Sequence, residues 1–496
     1  MISHFSGRAI FMAVSILFTA IFSGGCASKP EEAAPEIIER QMVLSSSSEA
    51  SREAYAPESP AIDDEPELPA AEEEPESAAG EAEESAPAIQ ESPGQNVIPQ
   101  SEPAPASSGA AQDGDKPESR SERAASYEAE AVRAVWISYL DLEKMLLGGS
   151  RAGFDKSVAA AFDNVKALGL NTVYVHVRPF GDALYASDYF PWSYLCTGEE
   201  GADPGFDPLA VMVSEAKKRG LRIEAWVNPY RVRAAGSRKA LSSGNPARIW
   251  LEEGGPEVKD FEGVISYNPA SEAAQELIIN GAREIVANYA VDGIHIDDYF
   301  YPHTDPGFDS RDYAAYKSEG GGLSLEDWRR QNVLTLIKGM YSAIKEERED
   351  AVFGISPQSN ISTNYNLQYL DVEEVVSKSG YCDYICPQVY FGFENAVQPF
   401  AETMKRWSDM VRTDTVELYA GLAVYKAGLT DGYAGEGKAE WQNNRDLISR
   451  MVEYARSLPY YNGFVLYRYD SLFNPEANVK DHIAEEIDNL RSALVS

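Results

Sequence analysis

The sequence predicts an α/β fold: a (β/α)8 TIM barrel with enlarged βα loops, preceded by a disordered acidic linker. Eight short runs rich in branched residues alternate with amphipathic stretches from Arg133 onward, the pattern of parallel strands with covering helices. A doubly wound open sheet is the competing arrangement. Its nucleotide-binding form is disfavoured, because no glycine-rich phosphate loop follows the first run.

In order, the expected strands are RAVWISYL (133–140), NTVYVHVR (171–178), RIEAWVNP (222–229), GIHIDDYF (293–300), VFGISPQ (352–358), YICPQVY (384–390), ELYAGLAVY (417–425) and GFVLYRY (463–469). Stretches such as FDKSVAAAFDNVKALGL and SEAAQELIINGAREIVANY lie between them, apolar at helical spacing. A strand sends alternate side chains to opposite faces. One register is uniformly apolar: Val135 and Ile137, Val173 to Val177, Ile223 to Val227, Ile294 and Ile296, and so on through Phe464 and Leu466. That face must pack under the helices. The other register looks into the barrel and ends in Ser138, Arg178, Asn228, Asp297, Gln358, Gln388, Tyr425 and Tyr467. Barrel interiors are ordinarily plugged by branched apolar residues. Polar groups at one level of nearly every strand therefore mark a mouth shaped for a polar ligand, with His176, Glu224 and His295 as a deeper network.

The stretch VDGIHIDDYFYP, residues 291–302, sharpens this. Asp297 shares the inward register of His295, at the end of the barrel where such folds keep their chemistry; Asp298 sits where the strand gives way to its loop. Aromatics crowd the same ends: Phe180, Tyr185, Tyr189, Phe190, Trp192 and Tyr194 after the second strand, Tyr230 after the third, Tyr299, Phe300 and Tyr301 after the fourth, Tyr390, Phe391 and Phe393 after the sixth. Flat rings beside carboxylates and amides suit sugars, whose C–H faces stack while their hydroxyls seek hydrogen bonds. Glycosidic cleavage needs a proton donor and a second carboxylate. Asp297 and Asp298 are the expected catalytic carboxylates, since adjacent acids repel and hold a proton available. Glu224, Asp182 and Glu394 are candidates for a further partner. Substrate contacts are expected from Arg178, Asp182, Asn228, Tyr230, Tyr299, Gln358, Gln388, Tyr390, Tyr425 and Tyr467. A divalent-metal hydrolase using His295, Asp297, Asp298 and His303 is weaker, because the histidine spacing offers no third clear ligand. No metal or cofactor is expected.

The motifs VRPFGDALYASDYFPWS, FDPLAVMVSEAKKRGLRIEAWVNPYRV, VDGIHIDDYFYP, FGISPQSN and CPQVYFGF resemble the glycosyl hydrolase-like family ten, over roughly residues 130–425 and in the family's order. The resemblance implies a barrel glycosidase of the bacterial envelope, in a group that includes lipoproteins hydrolysing peptidoglycan glycan strands without stem peptides. It also places Asp297 and Asp298 at the centre. DGIHIDDY is similar to the chitinase pattern D-G-x-D-x-D-x-E as well. Asp292, Gly293 and Asp297 match, while His295 replaces an aspartate and Tyr299 stands at the glutamate. With Tyr390 ending the sixth strand, that likeness implies assistance from a substrate N-acetyl group. A carbohydrate-binding lipoprotein without turnover is the alternative of another class.

The N-terminal part reads as an address. Arg8, an apolar run from Ala9 to Phe22 and small residues before Cys26 form an export signal over 1–26, too short to span a bilayer. It is similar to a lipobox, with Ser23 at the position usually branched, so Cys26 is the expected lipidation site. The expectation is a protein of the cell envelope, lipid-anchored on the exported side of a membrane. Residues 27–130 read as a disordered tether, leaving 131–496 as the catalytic domain. Between Ala27 and Glu128 there are 25 acidic and 6 basic residues, a net of −19 out of −36 for the chain. The acidity therefore belongs largely to the tether, and nucleic acid, which needs a basic footprint, is excluded as a partner. Such a tether would average roughly 50–60 Å end to end. Cys196, Cys382 and Cys386 are expected as buried free thiols, the last two about 13 Å apart at strand rise.

Overall fold

Parallel pairing of eight strands closes a barrel, with the register fixed residue by residue. The structure, a computed structural model, describes residues 131–495 apart from 147–148, 235–236 and 238. The expected signal with Cys26 and the expected tether at 27–130 lie outside the described residues.

The strands are β1 (Val132–Ile137), β2 (Thr172–Arg178), β3 (Arg222–Val227), β4 (Arg231–Arg233), β5 (Val258–Phe261), β6 (Val264–Tyr267), β7 (Gly293–Ile296), β8 (Val352–Ile355), β9 (Tyr384–Ile385), β10 (Glu417–Ala423) and β11 (Tyr461–Tyr467). The barrel runs β1-β2-β3-β7-β8-β9-β10-β11 and closes on β1. Val135 marks the closure, facing Val173 on one side and Leu466 on the other. β4, β6 and β5 form a separate antiparallel sheet in the long excursion between β3 and β7.

Local signals start and stop the outer helices. The hydroxyl of Ser150 accepts from the N–H of Gly153 to begin Arg151–Leu168, and Gly169 ends that helix at φ 90°, where a side chain would be strained. Asp207 caps Pro208–Arg219, with proline in the first turn, where its missing N–H costs nothing. These two helices pack side by side, as do Glu272–Asn288 and Leu325–Glu347.

The expected apolar register lies under the helices throughout. Val135, Val173, Val175, Ile223, Ala225, Ile294, Ile296, Phe353, Leu418, Ala420 and Leu466 share one buried cluster with helical Phe162, Val165, Met212, Ile285 and Ile337. Each large side chain there contributes about 1.5–3 kcal/mol by leaving water. The inward register forms a second cluster of Val132, Ala134, Trp136, Tyr174, Trp226, Tyr384, Cys386, Tyr419 and Val465. The plug is thus aromatic rather than branched. Tyr174 stacks on His295 at 4.5 Å and Tyr384 on Tyr419 at 4.4 Å. Gly354 makes room for that plug: a Cβ there would lie 1.7 Å from the Tyr384 ring.

Several strands end earlier than the alternation suggests. β1 stops at Ile137 and a helix begins at Tyr139. β7 stops at Ile296, so Asp297 and Asp298 both stand just beyond it. β8 and β9 stop before Pro357 and Pro387, where a proline ends the ladder for want of an N–H. Beyond them, single bridges join Gln358 to Gln388 and Gln388 to Gly421. Cys196, Cys382 and Cys386 are buried and free, as expected. Among the described residues no helix is long and apolar enough to cross a membrane.

Candidate active site

Asp297 emerges from β7 as its inward alternation requires and is almost wholly buried, at 4% exposure. The Asn228 amide nitrogen donates to both of its carboxyl oxygens, at 3.0 and 2.9 Å. With that nitrogen committed, the Asn228 carbonyl faces His176 Nε2, so Nε2 carries the imidazole proton. Burial pushes the His176 pKa well down, and the nearby Arg231 cation adds to this. The ring is therefore a neutral donor, stacked on Trp226 at 3.8 Å between centroids. A relay His176–Asn228–Asp297 results, with its donors aimed at the carboxyl group.

Asp298 is half-buried and is bonded by the side-chain amides of Gln388 and Gln358. Both aspartates are pushed above the usual carboxylate range, chiefly by burial. For Asp297 the neighbouring Asp298 charge raises it further, while Arg231 pulls the other way. Repulsion between the adjacent acids is present as expected, with burial the larger cause.

The rim comes from the carboxyl ends of the barrel strands. Tyr390, Tyr425 and Tyr467 form a triangle with centroids 5.7 to 6.0 Å apart. Across it, Tyr139 packs edge-on against His176 at 5.6 Å and Phe180 at 5.4 Å. Arg231 lies between Phe180 and Tyr299, 4.5 and 4.8 Å from the ring centres, an arrangement favourable to a cation. Half-buried tyrosines and amides therefore surround the two carboxyls.

Beneath it is a separate buried chain. Trp136 donates to His295 Nε2 at 3.0 Å, which leaves the proton on Nδ1, 2.8 Å from the Tyr384 hydroxyl. That hydroxyl donates to Glu224 at 2.6 Å. Burial lowers the His295 pKa to about 3 and raises that of Glu224 to about 8. The expected deep network thus exists for Glu224 and His295, whereas His176 belongs to the upper relay.

The Glycosyl hydrolase-like 10 family matches residues 131–434. This chain belongs to that family. It is 31% identical over 376 residues to Glycosyl hydrolase YngK of Bacillus subtilis (strain 168), covering 72% of this chain and 71% of that protein. To Glycosyl hydrolase DigH of Escherichia coli (strain K12) it is 32% identical over 337 residues, 63% of this chain and 75% of the other. Among solved structures, the PgaB (BpsB) glycoside hydrolase domain from Bordetella bronchiseptica overlaps 73% of this chain and 99% of its own, at 14% identity and a TM-score of 0.48. The fold itself rests on the closed strand register.

Within this glycosyl hydrolase-like 10 barrel, Asp297, Asp298, Asn228, Tyr299, Gln358, Gln388, Tyr390, Tyr425 and Tyr467 come together as expected from sequence. Four other expected site residues do not join them. Arg178 is displaced by a slip in register: His176 pairs with Trp226, but Arg178 pairs with Val227. The extra residue turns its side chain out of the barrel, where it bonds the carbonyls of Phe180 and Pro229 and lies over Phe190. Tyr230 is buried in the helix-side cluster, because the chain has already turned into β4. Asp182 is buried under the loop after β2, accepting from Tyr194 N–H at 3.1 Å. Glu224 sits four residues before Asn228, about 13 Å down the strand, with Trp226 between.

The metal alternative loses its histidines. Both nitrogens of His295 are engaged inside the barrel, and His303 pairs with Glu262 at 3.4 Å. Sequence reasoning missed Tyr139 and Arg231. Tyr139 was legible as the aromatic after Ser138. Arg231 was hidden in the NPYRV turn, where alternation no longer applies.

Proposed function

We propose that this family member is an envelope-anchored glycoside hydrolase cleaving glycosidic bonds in wall polysaccharide, with peptidoglycan glycan strands as the substrate. The observation that carries the reading is the Asp297–Asp298 pair: two carboxyls with raised pKa values, enclosed by sugar-sized aromatic and amide surfaces at the functional end of the barrel. Asp298, the more exposed, protonates the leaving oxygen. With the pair's shared proton on Asp298, the charge that raises Asp297 is gone, and Asp297, held by Asn228 and facing the Arg231 charge, is the anion beside the oxocarbenium-like carbon.

With Glu224 on the floor and Asp182 under a loop, neither accompanies the pair; Glu394 is exposed, its backbone tied to Glu440. That distribution favours a substrate N-acetyl group as the internal nucleophile, oriented by Asp297 and Tyr390. Export, lipidation of Cys26 and the tether supply the anchoring half of the proposal, supported by the N-terminal sequence pattern.

The test is product analysis by mass spectrometry after incubation with peptide-free wall glycan. Shorter glycan fragments are expected from the unmodified protein, and binding without cleavage from Asp298→Asn. Binding with no product from the unmodified protein would replace the enzyme by a carbohydrate-binding lipoprotein. Labelling with radioactive palmitate, lost in Cys26→Ala, tests the anchor.

A further inference from the structure

Four arginines are buried among the described residues, and three of them are matched. Arg329 and Arg330 pair with Asp309 and Asp327 at 2.5 and 2.6 Å, and Arg178 donates to two carbonyls. Arg231, at 9% exposure, is the exception. Among the described residues no carboxylate lies within 4.0 Å of its guanidinium. Its side-chain neighbours are the Tyr139 hydroxyl, to which it donates, and the Phe180 and Tyr299 rings at 4.5 and 4.8 Å.

The neighbouring acids are committed elsewhere. Both oxygens of Asp297 accept from the Asn228 amide, and Asp298 is bonded by the amides of Gln388 and Gln358. Arg231 is still near enough for its charge to act on both acids and on His176, which places it at the mouth. Nor is it sealed from water: unlike Arg233 and Arg348, it has no buried side-chain nitrogen left without a partner.

A buried cation without a counter-ion destabilises a folded chain. One kept open beside a ligand site can take its anion from the ligand. A ring over a guanidinium leaves the in-plane N–H groups as donors, a fork that fits a carboxylate. We infer that Arg231 is the recognition site for a carboxylate carried by the sugar bound at the Asp297–Asp298 pair. The substrate is then an acidic glycan. Two sugars supply the group: a muramic acid, whose lactyl side chain ends in a carboxylate once the stem peptide is gone, and a hexuronic acid, which carries it on the ring. A stem peptide turns the lactyl carboxylate into an amide and cancels the charge, so the same contact selects peptide-free strands. This inference rests on the glycosidase reading for its sugar, but concerns recognition and not turnover.

The experiment measures affinity by calorimetry at neutral pH, using full-length protein carrying Asp298→Asn. The ligands are a tetrasaccharide of peptide-free wall glycan, the same tetrasaccharide with its carboxyls reduced to alcohols, and a hexuronate tetrasaccharide. The wall fragment is expected to bind roughly tenfold to a hundredfold tighter than its reduced form. Adding Arg231→Gln is expected to erase that difference, and Arg231→Lys, charged but without the fork, to keep part of it. Equal binding of the acid and reduced forms with Arg231 in place would overturn the inference, and that comparison needs no change at Arg231. A difference that survives in Arg231→Gln would overturn it as well. Tighter binding of the hexuronate than of the wall fragment keeps the carboxylate site and moves the substrate away from peptidoglycan. If the unmodified protein cleaves nothing while the acid-selective binding persists, the glycosidase reading falls and the recognition site stands.

Discussion

One amide nitrogen of Asn228 donates to both carboxyl oxygens of Asp297, at 3.0 and 2.9 Å, while its carbonyl is occupied by His176. An asparagine committed at both ends fixes the carboxyl plane and favours its anion. Replacing Asn228 by Ala is expected to cost roughly 10²-fold in kcat/KM on wall glycan. Affinity of the Asp298→Asn background for a trisaccharide should change far less. Steady-state kinetics beside calorimetry check the split.

Arg231 is the nearby cation that pulls the Asp297 pKa down against burial and Asp298. Removing it must raise the pair further. The acidic limb of kcat/KM is therefore expected to move to higher pH in Arg231→Gln. A pH–rate profile measured on a short oligosaccharide reads this directly.

Glu224 makes a different pH statement. Its folded-state pKa is raised to about 8, above the ordinary 4.5, first by burial and despite Arg222 and Tyr384. The folded form holds this proton more tightly than the unfolded chain. The contribution is complete below about pH 4.5 and is lost as pH rises through about 8. Glu224→Gln is expected to keep activity and to flatten the fall in Tm across that window, a change on the order of 4 kcal/mol at pH 8. Loss of turnover with an unchanged Tm profile would restore Glu224 as a catalytic candidate.

Arg178 should behave as a structural residue. Its guanidinium ties the loops after β2 and β3 through the carbonyls of Phe180 and Pro229. Arg178→Met is expected to lower stability by about 2–4 kcal/mol, because those buried carbonyls lose their partners, with KM little altered in the folded fraction. Thermal unfolding and KM measured on one preparation separate the two effects.

These outcomes also mark how far the sequence could be read. Alternation sorted the barrel correctly because period two is rigid along a regular strand: Val173 and Val175 went under the helices, Tyr174 and His176 inside. It failed at Arg178, where one extra residue reverses every side chain after it, and nothing in VHVR announces a bulge. It failed again at Tyr230 and Arg231, because the chain leaves the barrel at Pro229 and starts an antiparallel sheet whose strands have three or four residues, too short for periodicity to register. The early ends of β8 and β9 were legible in Pro357 and Pro387. The depth of Glu224 needed only the strand rise, counted from Asn228.

The account depends most on Asp298 giving the proton and Asp297 staying charged beside it. The deciding measurement compares Asp297→Asn and Asp298→Asn on wall glycan and on an aryl glycoside whose leaving group needs no protonation. Asp298→Asn is expected to lose roughly 10²- to 10⁴-fold on glycan yet retain most of its activity on the aryl glycoside, while Asp297→Asn loses both. Full glycan cleavage by either variant would contradict the claim.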